Sequence, residues 1–386
     1  MSSFKSEAPP GQRWDVFCRV VDNLGDAGVM WRLARQLSLE AGCQVRLFID
    51  QPAVLQRLVP TAAPGLICDG VLICLMADAE AVATGTHHQD PAEVVVTGFH
   101  AALPQSYRSR MAPRRQVWIN LEYLSGEDWI EGFHRLCSPH PDGLVEHYFY
   151  PGFTTGSGGL LREADLLARR DAFQREPDNA RRFLAELGVD CRDDESLGSL
   201  LCYPGAPLVE LAPQLAAGAR TLHLLVPEGA DSGAADEGSL QLISRGRMRI
   251  SRIPFIPQQD FDRLLWSCDL NFVRGEDSWV RAIWAGRPFV WQAYPQAANA
   301  HLTKLEAFLR LLAPGLLSDA VRWWNGAPGG CASALTALIN DPKRDGACRA
   351  LSISQANQPD LAGNLLAFTD TCLQQNRAAE GEGDKL

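Results

Sequence analysis

Several absences bound this 386-residue sequence before any motif is considered. Its 11 cysteines include no CxxC pair, so neither a zinc-ribbon spacing nor a dithiol redox motif is present. Scattered cysteines of this kind are expected as small buried residues of a reducing compartment. No apolar run approaches the roughly 18 residues of a membrane span. The opening MSSFKSEAPPGQRW lacks the apolar core of a signal peptide. Positive charge is also short, with 36 Lys and Arg against 46 Asp and Glu, a net −10. That balance argues against binding to nucleic acid or anionic membrane. A cytoplasmic location follows as the expectation.

Motif absences narrow the field further. The first apolar strand is followed by DNLGDAG rather than GxGxxG, which removes the phosphate turn of a Rossmann oxidoreductase. Gly156, Gly158 and Gly159 lack the Lys-Ser/Thr of a Walker loop. No Ser/His/Asp set is legible, and His100, His134, His140 and His147 read as structural or surface residues. His87, His88 and Asp90 sit in a Gly/Thr-rich stretch and read as solvated loop, not as metal ligands.

What is present is a long alternation of strands and helices. Hydrophobic residues make up 46% and charged residues 21%, enough for two domains of ordinary size. Trp14–Val21 reads as a strand, with a helical stripe of Met30, Leu33, Ala34, Leu37 and Leu39 after DNLGDAG. Strands follow at 43–49, 70–75, 93–97 and 116–121. Residues 162–197 are charged and helical. A second series of strands is expected at 199–203, 221–226, 249–253, 269–273 and 288–291, followed by helices to the end. The segments group as an N-terminal Rossmann-like domain (1–165), a helical connection (166–197) and a C-terminal domain (198–365). A last helix, 366–386, is placed to pack back on the first. Two doubly wound α/β domains facing across a cleft are the GT-B architecture, used by nucleotide-sugar glycosyltransferases and some epimerases.

The most informative stretch is DLNFVRGEDSWVRAIWAGRPFVWQAYPQ, residues 269–296. It reads as strand, tight loop, helix, strand. In open α/β sheets such a loop binds ligands, because free N–H groups and the positive end of the helix point there. Arg274 adds charge-assisted hydrogen bonds suited to a diphosphate. The plainer reading is that Glu276, Asp277 and Ser278 cap the helix.

These motifs recur together in one family. DNLGD, SPHP, FYPGFT with GGLLRE, LLVPEG, the block PFIPQQDFDRLLWSCDLNFVRGEDSWVRAIWAGRPFVWQAYPQ and NAHLTKLEAFL stand in the order seen in the EarP family. The chain resembles these bacterial protein-arginine rhamnosyltransferases, which modify translation elongation factor P (EF-P), over nearly its whole length. The resemblance implies a GT-B fold and metal-free, inverting transfer of rhamnose from TDP-β-L-rhamnose to an arginine of that acceptor. No other cofactor is implied. It places the two N-terminal aspartates on Asp22 and Asp26 and the essential glutamate on Glu276. Diphosphate contacts fall on Arg274, Gly275, Asp277 and Ser278, and the base pocket near Tyr203 and Gln259. The family has Phe-Cys-Tyr where this chain has Leu201-Cys202-Tyr203, so an aromatic stacking contact is absent at Leu201.

An arginine acceptor poses a definite chemical problem. Its guanidinium has a pKa of about 12.5–13.8, so prior deprotonation at pH 7 costs roughly 8 kcal/mol. The proton must leave as the C–N bond forms. Two carboxylates on one βα loop suit this, one orienting the planar fork and one accepting the proton, with Asp26 as base and Asp22 as orienter or the reverse. Glu276 is left to serve the sugar, the ribose or the register of Arg274 and the acceptor. Asn299 and His301 are candidates for lining the donor cleft, and Phe153, Thr154 and Thr155 for the acceptor side. A GT-B epimerase would share the donor half and release a changed nucleotide sugar without an acceptor. A non-catalytic binding module would tolerate loss of the acidic residues that this sequence retains.

Overall fold

Parallel strands covered on both faces appear in sequence as continuous apolar runs, and the interior of this protein is built on such runs. In the computed structural model, residues 11–21, 24–80, 90–216, 220–229, 247–312, 314–341 and 343–383 are described. The chain divides into unit 1, Met1–Ala164 with Gln358–Leu386, and unit 2, Asp165–Asn357.

Unit 1 holds β1 (Arg13–Cys18), β2 (Gln44–Ile49), β3 (Ile67–Cys68), β4 (Val71–Leu75), β5 (Val94–Gly98), β6 (Val117–Leu121), β7 (Cys137–Pro139) and β8 (Val145–Phe149). Their order is β3-β4-β2-β1-β5-β6-β8-β7. The pairings from β4 through β8 are parallel, with β3 and β7 added antiparallel at the edges. The winding direction reverses between β1 and β5. Cys18, Gly98, Leu121 and Phe149 form one row across the carboxyl ends of β1, β5, β6 and β8. The helix Leu24–Ala41 covers this end of the sheet, burying Met30, Leu33, Ala34 and Leu37 completely. Leu39, expected on the same stripe, is 55% exposed. It lies two positions beyond Leu37, about 200° around the helix. A Cβ on Gly98 would meet the Met30 sulfur at 2.4 Å, so glycine is what lets this helix settle on β5.

The base of unit 1 is held by a buried carboxylate. Asp15 takes two 2.6 Å hydrogen bonds from Arg46, one of 3.0 Å from the Ala92 amide and one from the Tyr107 hydroxyl. The final helix, Leu361–Gly383, joins this unit: the Leu361 amide donates to Leu160 O at 2.9 Å, and Phe368 packs on Phe149 and His147.

Unit 2 holds β9 (Glu195–Leu200), β10 (Thr221–Pro227), β11 (Met248–Ile253), β12 (Leu270–Arg274) and β13 (Phe289–Gln292), ordered β11-β10-β9-β12-β13 and parallel throughout. Here the reversal falls between β9 and β12. The strand expected at 199–203 begins at Glu195 and ends at Leu200, leaving Leu201–Tyr203 in the following loop. Its polar start disguised it: Glu195 is buried, ion-paired to Arg249 at 3.1 Å and facing His223 at 3.3 Å. The helices Leu166–Arg175 and Pro177–Glu186 pack within unit 2, with Phe183 and Leu184 buried and Arg170 donating to Trp284 O at 2.8 Å. Among the described residues no helix is long and apolar enough to cross a membrane.

Candidate functional site

Open α/β sheets bind ligands beyond the carboxyl ends of their strands, at the point where the winding reverses. Each unit has one such point, and each is occupied by a motif singled out above. RGEDS follows β12, and Cys202 and Tyr203 follow its neighbour β9. DNLGD comes after β1 in sequence, and its Asp26 lies in the first turn of the helix that follows.

In unit 2 the loop is built from its own backbone and an aromatic floor. Gly275 takes a left-handed φ of 62°, a conformation open to glycine without a Cβ penalty. Its carbonyl accepts the Trp291 indole N–H at 3.0 Å, and the Trp291 ring stacks on Trp279 with centroids 3.7 Å apart. Ser278 does not cap the helix Asp277–Ala285. Its hydroxyl turns back to donate to Arg274 O and accepts the Arg274 amide at 3.2 Å. Glu276 occupies the N-cap position but makes no side-chain cap bond. Side-chain capping by Glu276 and Ser278 is therefore replaced by other bonds, while Asp277 keeps the favourable first-turn place expected of a helix acid.

Glu276 pairs with Lys304 at 2.9 Å. Asp277 accepts Arg281 Nε at 3.0 Å and Gln258 Nε2 at 3.2 Å, and Arg281 Nη1 donates to the buried Asp262 at 2.9 Å. Arg274 reaches across the reversal point, donating to Cys202 O at 2.9 Å with its guanidinium 4.9 Å above the Tyr203 ring. The Tyr203 amide donates to Gln292 Oε1 at 2.7 Å, and its ring meets Tyr294 edge-on at 5.3 Å. Arg274, Tyr203, Cys202 and Gln292 thus form one connected wall. Gln259 is exposed, while its neighbour Gln258 is buried against Asp277. Leu201 donates its amide to Phe272 O at 2.9 Å, just past the end of β9. Asn299 has a left-handed φ of 57°, and His301 Nδ1 accepts the Gln296 amide at 3.2 Å.

In unit 1 the corresponding loop is held by carboxylates on backbone amides. Asp26 is buried in the first turn of Leu24–Ala41, and its Oδ2 accepts the Val21 amide at 2.8 Å. Asp50, after β2, accepts the Val20 amide at 3.0 Å, and Gln51 donates to Val20 O at 3.1 Å. The acidic character registers on Cys18, whose thiol burial pushes well above its ordinary pKa, reinforced by Asp26 and Asp50. Deeper in the same helix, Arg32 forms a two-pronged pair with Glu163 at 2.8 and 2.7 Å. That pair ties GGLLRE to the helix after DNLGD. Asp22 and the histidines His87 and His88 lie outside the described residues. Phe153 is buried, whereas Thr154 and Thr155 are exposed. Among the described residues no three His, Cys, Asp or Glu side chains are grouped to hold a metal.

Sequence reasoning missed Lys304, Gln258 and the Asp262–Arg281 pair. For the last two a signal existed: Gln258 and Asp262, and likewise Asp277 and Arg281, are four apart and share helix faces. Lys304 carries no local signal, because its partner lies 28 positions away.

The profile of the EF-P rhamnosyltransferase EarP family matches residues 14–370. The chain belongs to the EarP family. A protein-arginine rhamnosyltransferase of Pseudomonas putida is 44% identical over 92% of this chain and 98% of its own length. One from Pseudomonas aeruginosa is 43% identical with the same coverage. The fold comparison agrees. A solved structure described as the structural basis for EarP-mediated arginine glycosylation of translation elongation factor EF-P matches with a TM-score of 0.60 and 33% identity, over 93% of this chain and 99% of its own. A glycosyltransferase from Rickettsia africae matches with a TM-score of 0.53 at 9% identity, over 95% of this chain and 98% of its own, a likeness of fold alone. The chain is an α/β protein of the GT-B class with two parallel-sheet units.

Proposed function

We propose that this chain transfers L-rhamnose from TDP-β-L-rhamnose to the side chain of a specific arginine of EF-P, with inversion, in the cytoplasm where that factor works. The observation that carries the reading is the RGEDS loop at the reversal point of unit 2, in a chain that matches the EarP family from residue 14 to 370. The loop offers what a nucleoside diphosphate needs. The amides at the start of Asp277–Ala285 face an anion at the positive end of the helix. Arg274, locked by Cys202 O and the Tyr203 ring, adds a cation beside the pocket for the base. Tyr203 and Tyr294 supply its aromatic surface.

Asp26 is the proton acceptor in this reading. Its carboxylate is oriented by the Val21 amide, so it can be aligned on an incoming guanidinium without searching rotamers. With Asp22 as orienter, the nucleophilic nitrogen loses its proton as the bond to the anomeric carbon forms and the bond to the diphosphate breaks. Pre-organised donors on the leaving diphosphate lower the barrier, and general-base assistance supplies about 10²–10⁴ in rate.

Intact-mass spectrometry of unmodified EF-P incubated with this protein and TDP-rhamnose is the test. A gain of one deoxyhexose, lost in Asp26→Asn, is the expected result. No gain, with TDP still bound by the protein, overturns the acceptor assignment.

A further inference from the structure

The chain is almost without lysine. It occurs only at Lys5, Lys304, Lys343 and Lys385, while the remaining basic residues, thirty-two of 36, are arginine. Among the described residues, ion pairs of unit 2 that use arginine include Arg281 with Asp262 and Asp277, Arg249 with Glu195, and Arg322 with Glu306. At Glu276 a lysine is used, and it comes from a distant element, the helix Ala300–Leu309. Two consecutive non-glycine residues in left-handed conformation, Ala298 and Asn299, immediately precede that helix. Such backbone is tolerated where the surroundings enforce a position.

The chemistry gives lysine a distinct role here. A guanidinium takes a carboxylate by both oxygens in a rigid fork, whereas an ammonium is a compact point charge on a flexible stem with three rotatable donors. Charge adds a second reason. Arg281 pairs with Asp262 and Asp277, and Arg274 lies over Tyr203; with Glu276 these groups sum to one net negative charge around the loop where a dianionic diphosphate is to bind. Lys304 brings that balance to zero at its nearest point, 2.9 Å from Glu276 Oε1.

We infer that Lys304 is a positioning residue for the sugar-transfer step, acting through Glu276. It holds the Glu276 carboxylate through Oε1 and cancels its charge beside the donor. This rests on the donor reading given above.

The test is a double-mutant cycle of Lys304→Met and Glu276→Gln, with Lys304→Arg alongside. kcat and KM for TDP-rhamnose are measured, and TDP binding is followed by calorimetry. Lys304→Met is expected to lower kcat about 10- to 100-fold, the size of effect of a misplaced reacting group, while TDP is still bound. In the Glu276→Gln background the same change is expected to add less than about threefold, since residues acting as one unit are not additive. Lys304→Arg is expected to bind TDP as wild type does but to recover only part of kcat, because its fork re-aims the carboxylate. An unchanged kcat in Lys304→Met, or fully additive losses, overturns the inference. If wild type modifies no EF-P, the donor-and-acceptor reading fails separately. The same cycle is then read on acceptor-free donor hydrolysis, as TDP release, with the same two outcomes deciding it.

Discussion

The two reversal-point sites share their local order, a parallel strand followed by a helix that starts a few residues later, yet they treat their carboxylates in opposite ways. In unit 2, Glu276 and Asp277 are paired with Lys304 and Arg281. In unit 1, Asp26 and Asp50 accept the backbone amides of Val21 and Val20. A cation partner cancels a carboxylate's charge, whereas an amide stabilises the charge and leaves it in place. The first arrangement suits an anionic diphosphate and the second a cationic guanidinium. Under the proposed function, one fold presented twice takes on opposite electrostatic tasks, read from the partners its carboxylates take.

The comparison breaks most sharply at the carboxylates themselves. Asp26→Asn is expected to lower kcat by about 10²–10⁴ with TDP binding by calorimetry unchanged. Glu276→Gln is expected to lower kcat as well. If Asp26→Asn instead weakens TDP binding, the division of tasks between the loops is wrong.

The buried ion pairs provide the next test. Arg281→Met leaves Asp262 and Asp277 without their shared cation, and Arg32→Met leaves Glu163 buried without its partner. Removing one member of a buried pair costs about 3–5 kcal/mol, so each variant is expected to show a lowered melting temperature. Only Arg281→Met is expected to weaken TDP binding too, because Asp277 sits in the loop proposed to bind the donor.

A smaller effect separates two adjacent glutamines. Gln258→Ala removes a hydrogen bond to Asp277 and is expected to destabilise by about 1 kcal/mol, measured by denaturant titration. Gln259→Ala, at an exposed position, is expected to leave stability alone and to report only on donor KM. Equal loss of stability in both would contradict the observed placement.

The mildest expectation concerns pH and unit 1. Burial first, and Arg135 second, lower His134 from 6.5 to about 4. Its Nδ1 accepts the Tyr150 amide at 3.1 Å, which requires the neutral ring. The unfolded chain therefore binds the extra proton first, so this contribution is full above pH 6.5 and fades as pH falls toward about 4. His134→Gln is expected to flatten the melting-temperature profile across that window. An unchanged slope would assign the acid sensitivity elsewhere.

Much of the fold and of both loops was legible from composition and spacing. Continuous apolar runs such as VVVTG and LNFVR located strands because parallel sheets covered on both faces need apolar residues at successive positions. DNLGD and RGEDS stood out because each interrupts such a run with glycine and acids before a helix. Strand β9 was displaced because its start, Glu195 and Ser196, is polar yet buried. A local window sees polarity, whereas Arg249 and His223 arrive from other strands to satisfy it. That Gln258 turns inward to Asp277 while Gln259 stays exposed was likewise not legible, since which of two neighbouring side chains faces inward depends on what the helix packs against.

By itself, then, the sequence determined the alternation of strands and helices, the positions of the two acidic loops and the family. These are properties of short windows and of motif order. Only the tertiary structure decided that Arg274 locks onto Cys202 O, that Ser278 turns back instead of capping its helix, and that Lys304 meets Glu276. Such partners are tens of positions apart or compete with a local alternative. Their choice follows from which groups must be satisfied once the sheet has closed over them.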